Sequence, residues 1–317
     1  MGPHRPPDIL RKSHAHSDGK SRARGKRELR EDIDTSMAGS ADHRAVLIDL
    51  DGVVCRGDEP ITGAIDAVRW LKDEGIAHLF VTNTMSTSRE ALVAKLAGFG
   101  MEIAVNDIQA PPDAAAAWLA AQGCGRLLLA VPKGTAGAFT EFETQTLDEL
   151  IGHQQALGQG GGSPAVDAVV IGDIGSDWNF VRLNAAFRCL KQDPAPRLIA
   201  LSMTPYWNAR EGLRLDVAPF VAALSRASGV EACILGKPAP AFFEAALRRL
   251  DVSAADTLMI GDDVRADVAG AQAAGLKGIL VKTGKYQSGD LGLGIEPELV
   301  IDTIADLPRF WPKSASS

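Results

Sequence analysis

Acidic, hydroxyl, amide and lysine side chains stand beside short apolar segments at four places in this sequence. In chain order they are Asp49 and Asp51, Thr82 and Asn83, Lys237, and Asp262, Asp263 and Asp267. The apolar runs beside them are typical of strands that are buried on both faces. Because ligand sites in open parallel sheets lie at the carboxyl ends of the strands, we expect these side chains to converge on one edge of a sheet.

The carboxylates predict a cation site at that edge. Each motif alone has an ordinary interpretation, since Asp-Gly forms turns, Thr-Asn caps helices and acids favour helix N-termini. Four carboxylates packed together repel each other, however, and a divalent cation compensates that repulsion. Oxygen ligands select a hard cation, of which Mg²⁺ is the usual one. The sequence therefore predicts a Mg²⁺ site.

Strand and helix patterns alternate around these residues. Strands are predicted at 45–50, 78–82, 232–235, 257–260 and 278–281. In the first helical segment, Ile65, Val68 and Leu71 share one face. Strands that alternate with helices of about 10–15 residues form βαβ units and a parallel sheet. The predicted fold class is α/β.

The middle of the chain has the same alternation but forms a separate block. Its predicted strands are 126–131, 168–171 and 197–202, its predicted helices are 112–121 and 179–191, and 155–164 is predicted to be a loop. We expect one α/β domain, residues 44–111 and 213–310, to be interrupted by an inserted domain, residues 112–212.

The N-terminal segment, residues 1–43, is predicted to be a disordered tail. It carries many charges with Pro, Ser and Gly, and few large apolar residues. Six basic residues fall between Lys20 and Arg30, so a nucleic-acid-binding or targeting patch is an alternative. A third interpretation starts the protein at Met37, because a short polar lead and the first strand follow it.

The composition bears on nucleic-acid binding, membrane insertion and cellular location. The 317 residues are 46% hydrophobic with a net charge of −7, and the acidic excess lies in the body, so nucleic acid is not expected as its main partner. No apolar run approaches the roughly 18–20 residues of a membrane-spanning helix, and the N-terminus lacks the apolar core of a signal peptide. Four separated cysteines without a CxxC motif favour reduced thiols and a cytoplasmic location.

The ordered motifs resemble those of the haloacid dehalogenase-like (HAD) phosphohydrolases. The matching residues are Asp49-Leu50-Asp51-Gly52-Val53, Thr82-Asn83, Lys237 and Gly261-Asp262-Asp263 with Asp267. The inserted block looks like the larger α/β cap, of the C2 type, of subfamily IIA, which includes phosphatases resembling NagD and pyridoxal phosphate phosphatase. Stretches that begin at Asp173, Asn179, Gly212 and Gly236 are similar to the branch containing phospholysine phosphohistidine inorganic pyrophosphate phosphatase.

This resemblance implies a Mg²⁺-dependent phosphatase with an aspartyl-phosphate intermediate on a Rossmann-like parallel sheet. Asp49 is then the nucleophile, and Asp51 is the general acid and base. Asp49, Asp262 and the carbonyl oxygen of Asp51 would bind Mg²⁺. Some relatives carry Ser at the position of Asp51, which removes the obvious general acid. Since this chain keeps Asp, we expect it to cleave esters with poor leaving groups.

The other motif residues have supporting roles under the same resemblance. Thr82, Asn83 and Lys237 would bind the phosphate oxygens. Asp263 or Asp267 would act on the metal through water or orient Lys237. These parts match what phosphoryl transfer needs, which is positioning and electrostatic stabilisation.

The substrate specificity is expected to lie in the cap, on the loop 203–210. Its candidate residues are Tyr206, Trp207, Asn208 and Arg210. The two aromatic rings are suited to stacking on a planar or sugar group, and Arg210 is suited to a second anion. The alternative is a hinge-side loop whose aromatic rings pack beneath the cap.

Two other functions fit the same residues. A phosphotransferase or mutase uses the same intermediate, and a binding protein keeps the fold but not the turnover. The leading hypothesis is hydrolysis of a small phosphorylated metabolite or pyrophosphate by a cytoplasmic enzyme that associates with no membrane. A homodimer through the cap is a further expectation from the resemblance.

Overall fold

Continuous apolar runs form the buried strands of two parallel sheets. The computed structural model describes residues 45–85, 87–156, 165–206 and 212–311 with their side chains, and residues 207–209 as backbone. The strands are β1 (Ala45–Asp49), β2 (Cys55–Arg56), β3 (Glu59–Pro60), β4 (Ala77–Val81), β5 (Ile108–Gln109), β6 (Arg126–Ala130), β7 (Glu143–Thr146), β8 (Ala168–Ile171), β9 (Arg197–Ala200), β10 (Tyr206–Ala209), β11 (Gly212–Leu215), β12 (Ala232–Ile234), β13 (Thr257–Gly261), β14 (Lys277–Val281) and β15 (Leu299–Ile301).

Helices of four to twelve residues connect most of these strands. They are α1 (Ala64–Asp73), α2 (Arg89–Gly98), α3 (Pro111–Ala121), α4 (Leu147–Ala156), α5 (Phe180–Leu190), α6 (Val217–Ser228), α7 (Pro240–Leu250), α8 (Gly270–Ala273) and α9 (Leu307–Phe310). A π-helical turn, Val264–Ala269, precedes α8.

The first sheet has six parallel strands in the order β15-β14-β13-β1-β4-β5. Its central strand β1 is buried along its whole length, as the continuous apolar run predicted. The register places Ile48 beside Ile260 and Asp49 beside Val81. The carboxyl ends of β1, β4 and β13 are therefore level, and the residues after them meet at one edge.

The second sheet has five parallel strands in the order β12-β9-β8-β6-β7. The strand predicted at 232–235 for the first sheet is in fact β12, whose Cys233 pairs with Ile199 of β9. Helix α6 packs Val217 and Val221 into the core of this second sheet. Residues that follow the predicted boundary at 213 therefore pack with the second sheet, because a short apolar run does not say which sheet edge it joins.

Helix α3 packs against both sheets. Its Ala114 lies in the core beneath the first sheet with Phe242, whereas its Leu119 lies in the core of the second sheet. A buried hydrogen bond of 2.8 Å from Thr135 Oγ1 to the Met85 carbonyl also joins the two parts. The described residues belong to one compact unit, and the division into a core domain and an inserted cap stays a prediction.

Residues 206–209 of the loop predicted at 203–210 form a strand that pairs antiparallel with residues 212–215. Strands β10 and β11 pair Tyr206 with Leu215, and the exposed side chains include Tyr206, Leu213 and Leu215. The predicted tail 1–43 and most of the predicted loop 155–164 lie outside the described residues. No helix in the described part of the chain is long and apolar enough to cross a membrane.

Replacing Gln109 by leucine tests how strongly β5 is held to α7. Gln109 is buried, and its Nε2 donates a hydrogen bond of 2.9 Å to the Phe242 carbonyl. Leucine removes this hydrogen bond, while the carbonyl still accepts the N–H four residues further along α7, so we expect the free energy of unfolding to fall by about 1 kcal/mol. Chemical denaturation measures the change. The exposed Gln122→Leu is the control, with an expected change within about 0.5 kcal/mol; an equally small change at Gln109 would contradict the assigned contact.

Candidate active site

A buried lysine joins two carboxylates at the carboxyl edge of the first sheet. Asp49 ends β1, Lys237 precedes α7, and Asp267 lies in the π-helical turn. Lys237 Nζ is 2.7 Å from Asp49 Oδ1 and 2.7 Å from Asp267 Oδ1. All three side chains are buried, so each charge depends on the others for compensation.

A third buried carboxylate gives the cluster an excess of negative charge. Ligand oxygens of Asp49, Asp262 and Asp267 lie within 4.8 Å of one another. Asp262 Oδ2 accepts a hydrogen bond of 2.6 Å from the backbone N–H of Lys285. The other oxygen, Asp262 Oδ1, is buried and has no hydrogen-bond partner among the described residues. Three carboxylates thus face one buried lysine, and one buried oxygen is left without a donor.

The pKa values of Asp49 and Asp262 are raised in this cluster. Burial raises the pKa of Asp49 to about 8, and Asp267 and Asp262 add to that shift although Lys237 opposes it. Burial likewise raises the pKa of Asp262 to about 6. Burial alone would lower the pKa of Lys237, but Asp267 and Asp49 raise it above its ordinary value. The lysine is therefore charged at neutral pH.

The donor set fits a hard divalent cation. Its oxygens come from carboxylates, and the orphaned Asp262 Oδ1 is a buried ligand atom that nothing else satisfies. Two glycines with positive φ, Gly52 and Gly284, lie against Asp262, and a Cβ on either one would overlap Asp262 Oδ2. The backbone therefore approaches this carboxylate as closely as only glycine allows.

Asp51 lies at the same edge but outside the buried cluster. Its side chain is exposed, and its Oδ2 accepts a hydrogen bond of 3.0 Å from Thr84 Oγ1. An exposed carboxylate beside a buried one has the separation of roles that a nucleophile and a proton donor require.

The predicted phosphate-binding residues are held together by backbone contacts. Asn83 Oδ1 accepts a hydrogen bond of 2.9 Å from the Lys237 N–H, and Asn83 Nδ2 donates one of 3.0 Å to the Lys237 carbonyl. Thr82 is buried, and its Oγ1 accepts the N–H of Thr84 at 3.0 Å. The segment after β4 therefore fixes the backbone from which Lys237 reaches the carboxylates.

The two remaining acids have different surroundings. Asp267 uses both of its oxygens, because Oδ1 binds Lys237 and Oδ2 accepts the Asp263 N–H at 3.1 Å. Asp263 Oδ1 accepts the N–H groups of Arg265 and Ala266, at the start of the π-helical turn. Asp267 is thus placed to orient Lys237, and Asp263 shapes the turn that carries Asp267.

Among the predicted specificity residues, the structure describes the side chain of Tyr206. Tyr206 is 56% exposed, and within the described part of the chain its side chain has no hydrogen bond to the cluster. Trp207 and Asn208 are described as backbone of β10, and Arg210 lies outside the described residues. Their proposed role stays a prediction.

Sequence reasoning missed one lysine at this edge. Lys285 follows β14, binds Asp262 through its backbone and approaches Asp263 Oδ2 with its Nζ at 3.5 Å. The signal was present, because the polar run 282–285 follows a predicted strand of the same parallel sheet.

Comparisons with known proteins identify the family. Residues 46–145 match the family described as haloacid dehalogenase-like hydrolase, and residues 234–307 match the family described as HAD-hydrolase-like. The human phospholysine phosphohistidine inorganic pyrophosphate phosphatase is 34% identical over 251 residues, which cover 78% of this chain and 86% of that protein. This chain belongs to the haloacid dehalogenase-like hydrolases. The predicted family is confirmed, and so is the prediction of a phosphatase.

Solved structures of HAD-family proteins share the fold. NagD from E. coli K-12 superposes with a TM-score of 0.71 at 20% identity, covering 84% of this chain and 98% of that chain. A glycerol phosphate phosphatase from Mycobacterium tuberculosis, in complex with calcium, has a TM-score of 0.68 at 27% identity, covering 84% of this chain and 74% of that chain. The predicted α/β fold with a HAD-type parallel-sheet core is confirmed.

Substituting Gly284 by alanine tests the backbone support of the cation site. The new Cβ would overlap Asp262 Oδ2, so the carboxylate must move. We expect Mg²⁺ affinity to fall by about 10- to 100-fold, as for other losses of groups that orient metal ligands. Isothermal titration calorimetry with Mg²⁺ measures the affinity.

Gly294→Ala is the matched control for this substitution. Gly294 has a φ of 75°, close to the 63° of Gly284, but no atom lies within 4 Å of a Cβ built there. Both variants therefore carry the strain of a positive φ, and only Gly284→Ala displaces Asp262. Equal Mg²⁺ affinities of the two variants would contradict the assigned role of Gly284.

Proposed function

We propose that this protein is a Mg²⁺-dependent phosphatase that hydrolyses a small phosphorylated metabolite or inorganic pyrophosphate through an aspartyl-phosphate on Asp49. The observation that carries the proposal is the buried Asp49–Lys237–Asp267 triad beside the orphaned Asp262 Oδ1. The names of the HAD-family relatives, a pyrophosphate phosphatase and a glycerol phosphate phosphatase, support the substrate class.

The residues that would hold the cation are Asp49, Asp262 and the backbone carbonyl of Asp51. A bound Mg²⁺ would neutralise phosphate charge, which allows anionic Asp49 to approach an anionic substrate. The calcium in the related glycerol phosphate phosphatase supports a divalent cation in a site of this family.

In the first step, a carboxylate oxygen of Asp49 attacks phosphorus while the bond from phosphorus to the leaving oxygen breaks. Lys237 holds Asp49 Oδ1 at 2.7 Å, so the nucleophile is fixed in one orientation before the substrate arrives. Protonated Asp51 gives its proton to the leaving oxygen, which departs as an alcohol or a protonated phosphate.

In the second step, water attacks the phosphorus of the aspartyl-phosphate. Asp51, now ionised, takes a proton from that water, and the bond between phosphorus and Asp49 breaks. Inorganic phosphate leaves, and both carboxylates return to their starting states. The exposed position of Asp51 suits this role, because the leaving group departs to solvent and the water arrives from solvent.

The phosphate oxygens would be bound by Lys237, Thr82 and Asn83. Lys237 supplies a positive charge in a site from which water is excluded, where electrostatic stabilisation of the transition state is strongest. The hydrogen bonds between Asn83 and the Lys237 backbone keep these donors at fixed positions before the substrate binds.

Replacing Asp49 by asparagine tests the nucleophile. The amide is almost the same size but cannot form the phosphoenzyme, so we expect kcat to fall by more than about 1,000-fold. Phosphate release is measured on pyrophosphate, sugar phosphates, nucleoside monophosphates and pyridoxal phosphate, with Mg²⁺ or with EDTA. The exposed Asp73→Asn is the control. Activity that survives in Asp49→Asn, or that EDTA leaves intact, would contradict the mechanism.

Replacing Asp51 by asparagine tests the proton donor. Glycerol phosphate needs a proton on its leaving oxygen, so we expect its first step to slow by about 10²–10⁴-fold. The p-nitrophenolate group leaves without a proton, so the first step with p-nitrophenyl phosphate should slow much less. Single-turnover kinetics separates this step from hydrolysis of the phosphoenzyme. An equal loss with both substrates would argue that Asp51 acts on something other than the leaving group.

Three further expectations stay predictions. Cys55, Cys124, Cys189 and Cys233 are free thiols in the structure, which is compatible with the predicted cytoplasmic location. The absence of a nucleic-acid partner for the body and a homodimer through the inserted part follow from charge and resemblance alone.

A further inference from the structure

Lys285 is a second lysine at the candidate active site, and the proposed mechanism does not use its side chain. Its ammonium lies 3.5 Å from Asp263 Oδ2, and its side chain is 70% exposed, whereas that of Lys237 is 3% exposed. An ion pair with so exposed a lysine stabilises little, so the ammonium leaves Asp263 at small cost. Lys285 therefore has the freedom to reach a group that arrives from solvent.

Backbone contacts fix the position of the Lys285 main chain. Its N–H donates to Asp262 Oδ2 at 2.6 Å. The preceding Gly284 packs closely on Gly52, since a Cβ built on Gly52 would lie 3.0 Å from the Gly284 Cα. Gly52 in turn follows Asp51 in the chain. Lys285 and the proposed proton donor, Asp51, therefore lie on adjacent backbone segments, at the edge of the site where the leaving group is expected to lie.

Lys285 presents a charged and largely exposed ammonium group at this edge of the site. Partial burial would lower the pKa of Lys285, but Asp263, Asp262, Asp49 and Asp267 raise it, so the ammonium is charged at neutral pH. Lys237 is already bound by two carboxylates. Of these two lysines, Lys285 alone has an exposed ammonium that is available to a second anionic group of a substrate.

We propose that Lys285 determines specificity by binding a negative charge on the leaving group, so that phosphoanhydrides are preferred over monoesters with a neutral leaving group. This inference rests on the proposed function and extends it from the scissile phosphate to the group beyond it. A lysine ammonium is a compact charge that suits a phosphate whose orientation varies. It also stabilises the charge that develops on a departing phosphate.

Lys285→Met tests this inference, because methionine removes the charge and keeps the backbone N–H that binds Asp262. The kcat/KM values for pyrophosphate and for phenyl phosphate are compared at one fixed concentration of free Mg²⁺. We expect the ratio of pyrophosphate to phenyl phosphate to fall by about tenfold or more, the usual effect of losing a hydrogen bond to a charged group. Lys285→Arg keeps the charge and should retain most of the ratio.

Lys282→Met is the matched control, since Lys282 lies three residues away and pairs with Asp302 at 2.7 Å. It should leave the ratio unchanged. An equal loss for both substrates in Lys285→Met would show that the lysine supports the carboxylates rather than the leaving group, and an unchanged ratio would show that it binds neither. Either result overturns the inference.

A binding measurement separates this inference from the proposed function. Methylenediphosphonate and methylphosphonate are not hydrolysed, so calorimetry with the Mg²⁺-loaded protein reports recognition without turnover. We expect Lys285→Met to lower the affinity for methylenediphosphonate by about tenfold and the affinity for methylphosphonate by a smaller factor. If the wild-type protein releases no phosphate from any substrate, the proposed function fails, and the two affinities still decide the role of Lys285. Equal changes in both affinities would overturn it.

Discussion

The ammonium group of Lys237 compensates two buried carboxylates, and the arrangement of the site depends on that compensation. A carboxylate buried without a partner is strongly unfavourable. Asp49 and Asp267 nevertheless share a buried position, because Lys237 is 2.7 Å from each of them. The triad also joins three separate segments: the end of β1, the π-helical turn and the segment between β12 and α7. Removing the lysine would leave the buried charges of Asp49 and Asp267 without compensation.

The position of Lys237 follows from both sheets. Its chain segment begins at the end of β12, an edge strand of the second sheet, while its backbone is held by Asn83 after β4 of the first sheet. Gly236 packs so closely on the Leu201 carbonyl after β9 that a side chain there would overlap it. The second sheet therefore sets the path of the backbone, and the first sheet supplies the groups that the lysine compensates. Packing in the second sheet is thereby coupled to the position of Lys237.

One lysine does not balance three buried carboxylates, and this imbalance points to a cation. A raised pKa of about 8 for Asp49 and an orphaned oxygen on Asp262 are two consequences of the same deficit. The close approach of Gly52 and Gly284 to Asp262 Oδ2 fixes the position of this carboxylate, although its Oδ1 has no donor among the described residues. A site with uncompensated buried charge gains stability from a cation that compensates it.

The sequence by itself determined four of the six strands of the first sheet, β1, β4, β13 and β14, and the identity of the carboxylate cluster. Continuous apolar runs such as 45–49 bury both faces of a strand, and parallel strands place their carboxyl ends on one edge, so Asp49, Asp262 and Asp267 had to meet. Short-range patterns could not decide which sheet an apolar run such as 232–234 joins, because both edges offer the same hydrogen bonds. They also could not show that 206–209 pairs with 212–215 or that 264–269 forms a π-helical turn. The tertiary structure alone decided that Asp267 faces Lys237, that Asp51 stays exposed and that Lys285 reaches the site, since these depend on packing between segments far apart in the chain.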